Sequence, residues 1–296
     1  MKSAIEIRRE AWRLLWEERW LQKIFAGSLV FGCASFAANC IVHGVVFPEA
    51  QENIRQLLEM GLEEALERLR DPVLLRSLYM MVALSTFLSF VFGGIASFGL
   101  ARLQLKAARG HAGAGWFKGT LEGFRDPLGL AWLSFRLWLR VWWPAVFGAV
   151  PLCILAFASG RPVALAPALA CFAASIVNHY RYSQTWFLKA ANPGWGASQC
   201  LAESAKLTDG SKMRCFRLDC AYWRPATLYL LCMASALTSS FAGADKLASL
   251  AMTALFSMAI FMSISNPVGR AILHCELLSG RSASAGTSAA APDRGE

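Results

Sequence analysis

The feature that most constrains the fold is an apolar run at 24–47, which contains no Asp, Glu, Lys or Arg. A helix of about 20 apolar residues spans the roughly 30 Å hydrocarbon core of a bilayer. A crossing segment finds no water there, so its backbone N–H and C=O groups must bond internally, as in a helix. Further apolar runs occur at 74–100, 138–158, 163–179, 215–241 and 247–265. The sequence therefore predicts an all-α, polytopic membrane helix bundle with six transmembrane helices.

Composition agrees with a membrane location. The chain has 296 residues, of which 56% are hydrophobic and 17% charged. Soluble domains are about 45–50% apolar and about 25% charged. We therefore expect residues 1–278 to form a single integral membrane domain. Residues 279–296 are rich in Ser, Ala and Gly, which predicts a disordered cytoplasmic tail.

Lys and Arg residues concentrate in alternate connections between the apolar runs. The basic segments are the C-terminal end and residues 1–23, 101–127 and 180–214. The other connections are short turns near Arg161 and Lys246, and the acidic segment 49–71. Cytoplasmic loops of membrane proteins carry an excess of Lys and Arg. The pattern therefore predicts a protein of the cytoplasmic (inner) membrane with both termini in the cytoplasm.

Two segments outside the apolar runs show helical spacing. In segment 1–23, Trp12, Trp16 and Trp20 recur every four residues among basic side chains, which is typical of an interfacial amphipathic helix. This helix either lies on the membrane or packs on the protein's own cytoplasmic face. The Glu-rich segment 49–71 is predicted to be an external amphipathic helix. It either lies against the bundle or binds a partner.

The polar stretch 180–214 is predicted to be a cytoplasmic hinge between the fourth and fifth spans. It opens on Tyr180, Arg181 and Tyr182, at a span end where aromatic and basic side chains anchor a helix in the interface. Asn192-Pro193 follows and is expected to break the helix, because the residue before proline is disfavoured in the α region. These residues are candidate functional positions of the hinge.

The second half of the hinge is predicted to hold a short helix at 199–208. Ser198 is expected to cap its start, and Gly210 to end it as the residue after the C-cap. Lys212 and Asp219 lead into the fifth span and are further candidate functional residues. Asp219 either pairs with a nearby Arg or Lys or caps the fifth helix.

The order of residues in this stretch is Arg-Tyr-Ser, Asn-Pro, a Ser-containing helix, Gly-x-Lys and Phe-x-Leu-Asp. It resembles a family of bacterial multi-pass integral membrane proteins of uncharacterised activity, catalogued as domain of unknown function 975. The chain departs from the family at Ala191, where the family usually has Asp, and in the early aromatic pair Tyr222-Trp223. The resemblance implies a multi-pass architecture and no particular activity. The matching positions are Tyr180, Tyr182, Ser183, Asn192, Pro193, Ser204, Gly210, Lys212, Phe216, Leu218 and Asp219.

Arg136 and Arg140 stand four residues apart, on one helical face. The apolar run around them begins at 128 and is too long for one straight span. An interfacial lead-in that ends near Pro144, followed by a span, is therefore expected. The two arginines either extend to the cytoplasmic interface or form an anion or lipid-headgroup site within the bundle.

No pattern of an enzyme is present in the sequence. The histidines at 43, 111, 179 and 274 have no second ligand at metal-binding spacing, and the nine cysteines form no Cys-x-x-Cys pair. No nucleophile elbow, phosphate-binding loop or dinucleotide fingerprint occurs. We therefore expect no catalytic residues, no metal, no cofactor and no nucleic-acid partner.

Two functional hypotheses follow. The first is a membrane scaffold, assembly factor or regulator. It fits the basic cytoplasmic loops, which would contact anionic headgroups of the lipid bilayer, and leaves room for a protein partner or a homo-oligomer. The second is a small-molecule or lipid transporter. It is supported by prolines within the apolar runs, at Pro144, Pro151 and Pro267, because interrupted helices are common in transporters.

Overall fold

The computed structural model describes residues 2–17, 19–60, 64, 67–68, 70–110, 116–159, 165–222 and 266–280. Every regular element within these ranges is helical, which confirms the predicted all-α class for this part of the chain. The helices are numbered here in chain order. The first are α1 Ala4–Glu17, α2 Trp20–Ile41, α3 Pro48–Glu59, α4 Pro72–Ala108 and α5 Trp116–Leu121.

The later helices are α6 Pro127–Trp143, α7 Val150–Ser159, α8 Leu165–Arg181, α9 Thr185–Ala191, α10 Ala197–Leu207 and α11 Lys212–Ala221. A last helix, α12, covers 266–280. Two wide π-helical turns continue the long helices, one after α2 at Val42–Val46 and one between α6 and α7 at Pro144–Ala149. A 3-10 turn at Glu122–Arg125 follows α5.

Local sequence explains where two of the long helices begin. Asp71 precedes Pro72, and its carboxylate accepts the N–H of Val73 at 2.9 Å. Asp126 precedes Pro127 in the same way and accepts the N–H of Gly129 at 3.0 Å. Asp is a preferred N-cap, and proline is tolerated at the first helical position because no bond from its nitrogen is needed there.

Three helical stretches are long and apolar enough to cross a membrane: Trp20–Val46, Pro72–Ala108 and Pro127–Leu155. Only 11%, 17% and 22% of their apolar windows are buried inside the protein. Apolar surface of this length is stable against lipid rather than against water. The three stretches coincide with the predicted runs 24–47, 74–100 and 138–158.

The structure describes the other three predicted spans only in part or not at all. Helix α8 lies over the predicted run 163–179 and has 17 residues, slightly fewer than the roughly 20 of a straight transmembrane helix. The predicted run 215–241 overlaps the described chain only to residue 222, and the run 247–265 lies outside the described residues. The predicted tail also lies outside them, except that its first two residues end α12.

The helix through Pro144 is continuous, so no break occurs at this position. The interfacial lead-in before it stays a prediction. The structure accommodates the proline in the π-helical turn Pro144–Ala149. Proline has no N–H to donate to the preceding turn, and a wide turn relieves the clash of its ring with the helix. On the facing helix, the buried Ser175 hydroxyl accepts the N–H of Ala145 at 3.1 Å, which holds the turn.

Two other boundaries differ from the predictions. Helix α4 runs to Ala108, beyond the predicted end at 100, because Leu103, Leu105 and Ala107 continue its buried side. The segment 49–71, predicted to be one external helix, is interrupted after Glu59, where Met60 takes an extended backbone with φ −84° and ψ 160°, and residues 64, 67 and 68 are helical again. Gly61 follows in the sequence, and glycine is a poor helix former.

Helices α1, α9, α10, α11 and α12 form a layer at one end of the long helices, called the polar layer below. Its largest core unites parts of the chain that are far apart in sequence. Members of this core come from α1, the start of α2, the end of α4, α11 and α12: Ile7, Ala11, Leu14, Leu15, Trp20, Ile24, Leu103, Ala107, Leu218, Tyr222, Val268, Ile272, Leu273 and Leu277. Thus α2 begins, and α4 ends, at the same end of the molecule.

Helices α4 and α6 approach each other at Gly94. A Cβ added there would lie 2.7 Å from the backbone oxygen of Leu130 and 3.0 Å from the hydroxyl oxygen of Ser134. Small residues allow such close helix contacts in membranes, where dispersion forces replace the hydrophobic effect between helices. Gly94 is therefore the position in this span at which packing requires a residue without a side chain.

Candidate functional site

Helices α9 and α10 are connected by a turn that a buried lysine stabilises. The Nζ of Lys189 donates to the backbone oxygens of Pro193 and Trp195, at 2.7 and 2.9 Å, and Lys189 is only 8% exposed. Asn192 ends α9 and its side-chain amide donates to the oxygen of Leu188 at 3.3 Å. The predicted break at Asn192-Pro193 is confirmed. In this fold the pair positions α10 and does not line the cleft described next.

Helix α10 starts two residues earlier than predicted. Gly196 is its N-cap, with an extended backbone and no side-chain capping bond, so the predicted capping role of Ser198 is wrong. The Ser198 hydroxyl instead accepts a hydrogen bond from the guanidinium of Arg136. At the other end, Thr208 is the C-cap, so Gly210 lies one residue beyond its predicted place after the cap. Its φ of +71° is in the left-handed region, which glycine adopts without strain.

A basic cleft of about 690 Å³ lies between α6 and α10, with the end of α8 as its floor. Arg136, Leu139 and Arg140 form one wall because they share a face of α6. The opposite wall is formed by α10 from Ser198 onward and by Asp209, just beyond its end. The small side chains of Ala202 and Ala205 widen the cleft on this side. The remaining lining residues are Arg181, Tyr182, Leu201, Lys206 and Lys212.

Among the described residues, three of the five cations in this cleft have no carboxylate partner. Lys206 pairs with Glu203 at 2.8 Å, and Lys212 with Asp209 at 3.6 Å. Within the described part of the chain, no Asp or Glu oxygen lies within 4.0 Å of the guanidinium nitrogens of the other three cations, Arg136, Arg140 and Arg181. The cleft therefore has an excess of positive charge.

Aromatic rings, rather than carboxylates, orient two of these arginines. The guanidinium carbon of Arg136 lies 4.9 Å from the ring centre of Trp132, and that of Arg181 lies 5.8 Å from that of Tyr182. A guanidinium held in this way keeps its N–H donors available. Planar forks of N–H donors match the oxygens of phosphate and carboxylate groups, so the cleft can bind an anion.

The structure brings together part of the predicted hinge and the two arginines of the preceding helix. Arg136, Arg140, Arg181, Tyr182 and Lys212 all line the cleft. Both arginines of α6 therefore face α10 of the polar layer, although they lie within the apolar stretch Pro127–Leu155.

Asp219 belongs to a second polar cluster. Its carboxylate accepts from the Nη2 and Nε of Arg270, at 2.6 and 3.2 Å, and from the side-chain amide of Asn266 at 3.1 Å. The Nη2 of Arg270 is also 3.3 Å from the Nε2 of His179. Asp219 lies near the end of α11, so the pairing interpretation is confirmed and the capping interpretation is wrong.

Tyr180 lies beside this ion pair rather than in the cleft. Burial and the adjacent Asp219 carboxylate raise the pKa of Tyr180 to about 12, so its phenol stays protonated. Its ring also meets the ring of Phe216 edge-on, with centres 5.8 Å apart. Tyr180 therefore joins α8 to α11 at the ion pair.

Several residues of the basic cleft and of the Asp219 cluster were not predicted from the sequence. Ser198 and Asp209 resemble ordinary helix-end residues, and Asn266 and Arg270 simply follow the predicted run 247–265. A signal was present for Lys206, since Ser198, Leu201, Ala202, Ala205 and Asp209 recur with it at helical spacing. Nothing in the sequence links Asp219 to a residue 51 positions later.

A cavity of about 370 Å³ lies behind Tyr182, on the other side of α6 from the cleft. Its walls combine aromatic side chains, among them Phe90, Trp138 and Trp142, with several serines. The polar end of the cavity is formed by His179 and Arg270. An apolar pocket with a few polar groups at one end is the common form of a small-molecule site.

His274 is packed as a core residue. It is fully buried, has no hydrogen-bond partner among the described residues, and lies against the ring of Phe187 at 5.6 Å between centres. Burial, with the neighbouring Arg109, lowers its pKa to about 4, so it is uncharged near neutral pH. Within the described ranges, no cluster of His, Cys, Asp or Glu could hold a metal ion.

Comparison of the chain with protein-family models, with curated proteins and with solved structures found no match in any of the three.

Proposed function

We propose that this protein is a multi-pass protein of the cytoplasmic membrane that acts as a scaffold, assembly factor or regulator and binds anionic headgroups in its basic cleft. The observation that carries this proposal is the convergence of Arg136, Arg140 and Arg181 in one cleft, where none of the three has a carboxylate partner among the described residues. Anionic lipid attracts basic clusters at the membrane edge. A protein or homo-oligomeric partner would dock on the same polar layer.

The six-span topology with both termini in the cytoplasm is part of this proposal. Support comes from where the chain enters and leaves the polar layer. Trp20 and Ala107 share one core, so the first pair of helices begins and ends there. Arg136 and Arg181 share the cleft, so the second pair does the same. Asp219 contacts Asn266, which places both ends of the intervening segment at this end and favours an even number of crossings.

A reporter that is active only outside the cytoplasm tests this topology. Alkaline phosphatase fused after Ala242, in the predicted external turn, should be active. The same enzyme fused after Gly196, in the polar layer, should be inactive although the fusion is made in similar amounts. Activity at Gly196 would contradict the orientation.

Loss of two cleft arginines should weaken headgroup binding. The double variant Arg136→Gln/Arg140→Gln removes two charges worth about 1 kcal/mol each near anionic lipid, which predicts roughly a thirtyfold loss of affinity. Short-chain phosphatidylglycerol, titrated into the protein in a neutral detergent, gives the dissociation constants. The dissociation constants of the variant for phosphatidylglycerol and for phosphatidylcholine should be similar.

The matched control is Lys118→Gln/Arg125→Gln, which removes two exposed charges outside the cleft. This variant should bind phosphatidylglycerol as the original protein does. Equal losses in the two double variants would show that net charge, and not the cleft, attracts the lipid, and the proposed site would be abandoned.

A small-molecule or lipid transporter is the second candidate. The cavity between the aromatic side chains of α6 and the Arg270–His179 pair favours it. Uptake of labelled candidate substrates into vesicles that contain the protein separates the two functions. Arg270→Gln removes the positive charge from the polar end of the cavity. If this variant no longer takes up the substrate, the result would support transport.

We also propose membership of the family catalogued as domain of unknown function 975. Several residues that match the family line the basic cleft or lie beside the Asp219 ion pair, which supports the assignment. Tyr182 and Lys212 line the cleft, and Tyr180 adjoins the Asp219 ion pair. Ser204 donates to the oxygen of Arg181 at 3.3 Å and so joins α10 to the end of α8.

A further inference from the structure

Helix α1 buries one face completely. Ile7, Ala11, Leu14 and Leu15 on this face are each at most 5% exposed. They belong to the core that also contains residues of α11 and α12. At the edge of this face, Arg8 donates to the backbone oxygen of Ala221 at 2.6 Å. The rotation of α1 about its own axis is therefore fixed.

The opposite face of α1 is aromatic, basic and exposed. Ile5, Trp12 and Trp16 are 58%, 38% and 56% exposed. The rings of Trp12 and Trp16 stack, with centres 6.2 Å apart and planes 17° from parallel. Arg9 and Arg13 are also exposed, and the helical repeat places them on this face.

Acidic side chains occupy a third, separate face. Glu6, Glu10 and Glu17 recur at helical spacing, on a flank of α1 between the buried face and the aromatic face. Glu6 and Glu17 are exposed, and Glu10 forms an ion pair with Lys2. Arg9 therefore stands beside the tryptophans, and Arg13 stands at the border between the aromatic face and the acidic flank.

The position of α1 in the chain places it beside the membrane. Only residues 18 and 19 separate it from α2, which begins the first membrane-spanning stretch at Trp20. Arg19 has φ +56°, a left-handed conformation that turns the chain sharply. At the start of α2, Trp20 is buried in the same core as the apolar face of α1, which holds α1 against the start of this stretch.

From these observations we propose that the exposed face of α1 docks on the surface of an anionic bilayer. Tryptophan favours the membrane–water interface, and arginine on the same face meets the phosphates. The acidic flank then faces water, where no phosphate repels it. The cores of protein interfaces are depleted in charge, so a face with two arginines among three apolar residues fits lipid better than a second copy of the chain. This inference requires that α2 crosses the membrane, but it does not depend on the cleft.

Tryptophan fluorescence of the full chain in nanodiscs tests the proposal. Subtracting the emission of Trp12→Phe/Trp16→Phe from that of the original protein isolates these two rings. In discs of phosphatidylglycerol, lipids brominated near the headgroup should quench most of the isolated emission, and aqueous acrylamide should quench little of it. In phosphatidylcholine discs the same emission should lose much less intensity to brominated lipid.

Two further variants act as controls. Trp195→Phe isolates a half-buried ring inside the polar layer, and brominated lipid should leave its emission unchanged. Arg9→Gln/Arg13→Gln should reduce the quenching in phosphatidylglycerol discs to the level in phosphatidylcholine. Acrylamide quenching without lipid quenching would overturn the proposal, as would protection from both quenchers, which would indicate a protein cover. Equal quenching by brominated lipid in phosphatidylglycerol and phosphatidylcholine discs would overturn the claim that α1 prefers an anionic bilayer.

Discussion

Gly94→Ala is expected to be one of the most destabilising single substitutions in the described part of this protein. The new methyl group would lie 2.7 Å from the backbone oxygen of Leu130 and 2.8 Å from its carbonyl carbon. Backbone atoms cannot rotate away as a flexible side chain does, so α4 and α6 must separate. Overpacking of this kind costs about 1–3 kcal/mol. The loss of stability should be visible as a lower midpoint of thermal unfolding in detergent.

The neighbouring glycine provides an unusually close control. A Cβ added at Gly93 meets no atom within 4 Å, and both residues lie in the same helix. Because alanine favours a helix over glycine by about 1 kcal/mol, Gly93→Ala should leave the midpoint unchanged or raise it. If the two variants unfold at the same temperature, the α4–α6 contact does not have the geometry described above.

Asp219→Asn is expected to have the second largest effect. The substitution removes the charge from a carboxylate that binds Arg270 through two oxygens, at 2.6 and 3.2 Å. The two side chains are 20% and 19% exposed, so water stabilises the remaining guanidinium only in part. Breaking a buried pair costs about 3–5 kcal/mol, and partial exposure reduces the expected loss here to about 2 kcal/mol.

The comparison variant for this effect is Glu59→Gln. Glu59 pairs with Arg55 at 3.3 Å, but their side chains are 68% and 73% exposed, and such surface pairs contribute about 0–1 kcal/mol. Chemical denaturation should therefore distinguish the two carboxylates clearly. In addition, Asp219→Asn combined with Arg270→Gln should lose less stability than the sum of the single variants, because the pair acts as a unit. Strict additivity would argue against the ion pair.

The long helices could be predicted because their signal is strong and local. An uncharged apolar run such as 24–47 has few alternatives to a membrane helix. The helix ends were less predictable, since they depend on packing that hydropathy does not measure. Helix α4 continues beyond residue 100 because Leu103 and Ala107 pack against α1 and α11. Pro144 stays inside a helix because a wide turn absorbs it.

The candidate site was only half predictable for the same reason. Arg136, Arg140, Arg181 and Lys212 stand out in the sequence as cations beside apolar runs, but their convergence depends on where α10 packs. That packing rests on bonds between sequence-distant groups, such as the hydroxyl of Thr208, which donates to the oxygen of Arg181 at 2.8 Å. Helical spacing likewise could not predict that Asp219 pairs with Arg270, which lies 51 positions later in the chain.

The contact between α1 and α12 has a consequence for biosynthesis. The two helices lie at opposite ends of the described chain, yet the N–H of Lys2 donates to the carboxylate of Glu276 at 3.3 Å, and Ile7 shares a core with Ile272. Chains emerge from the ribosome with the N-terminal part first. The part of α1 that packs against α12 therefore stays uncovered until translation has passed residue 266. A chain that stops before this residue would expose that apolar surface to chaperones and proteases.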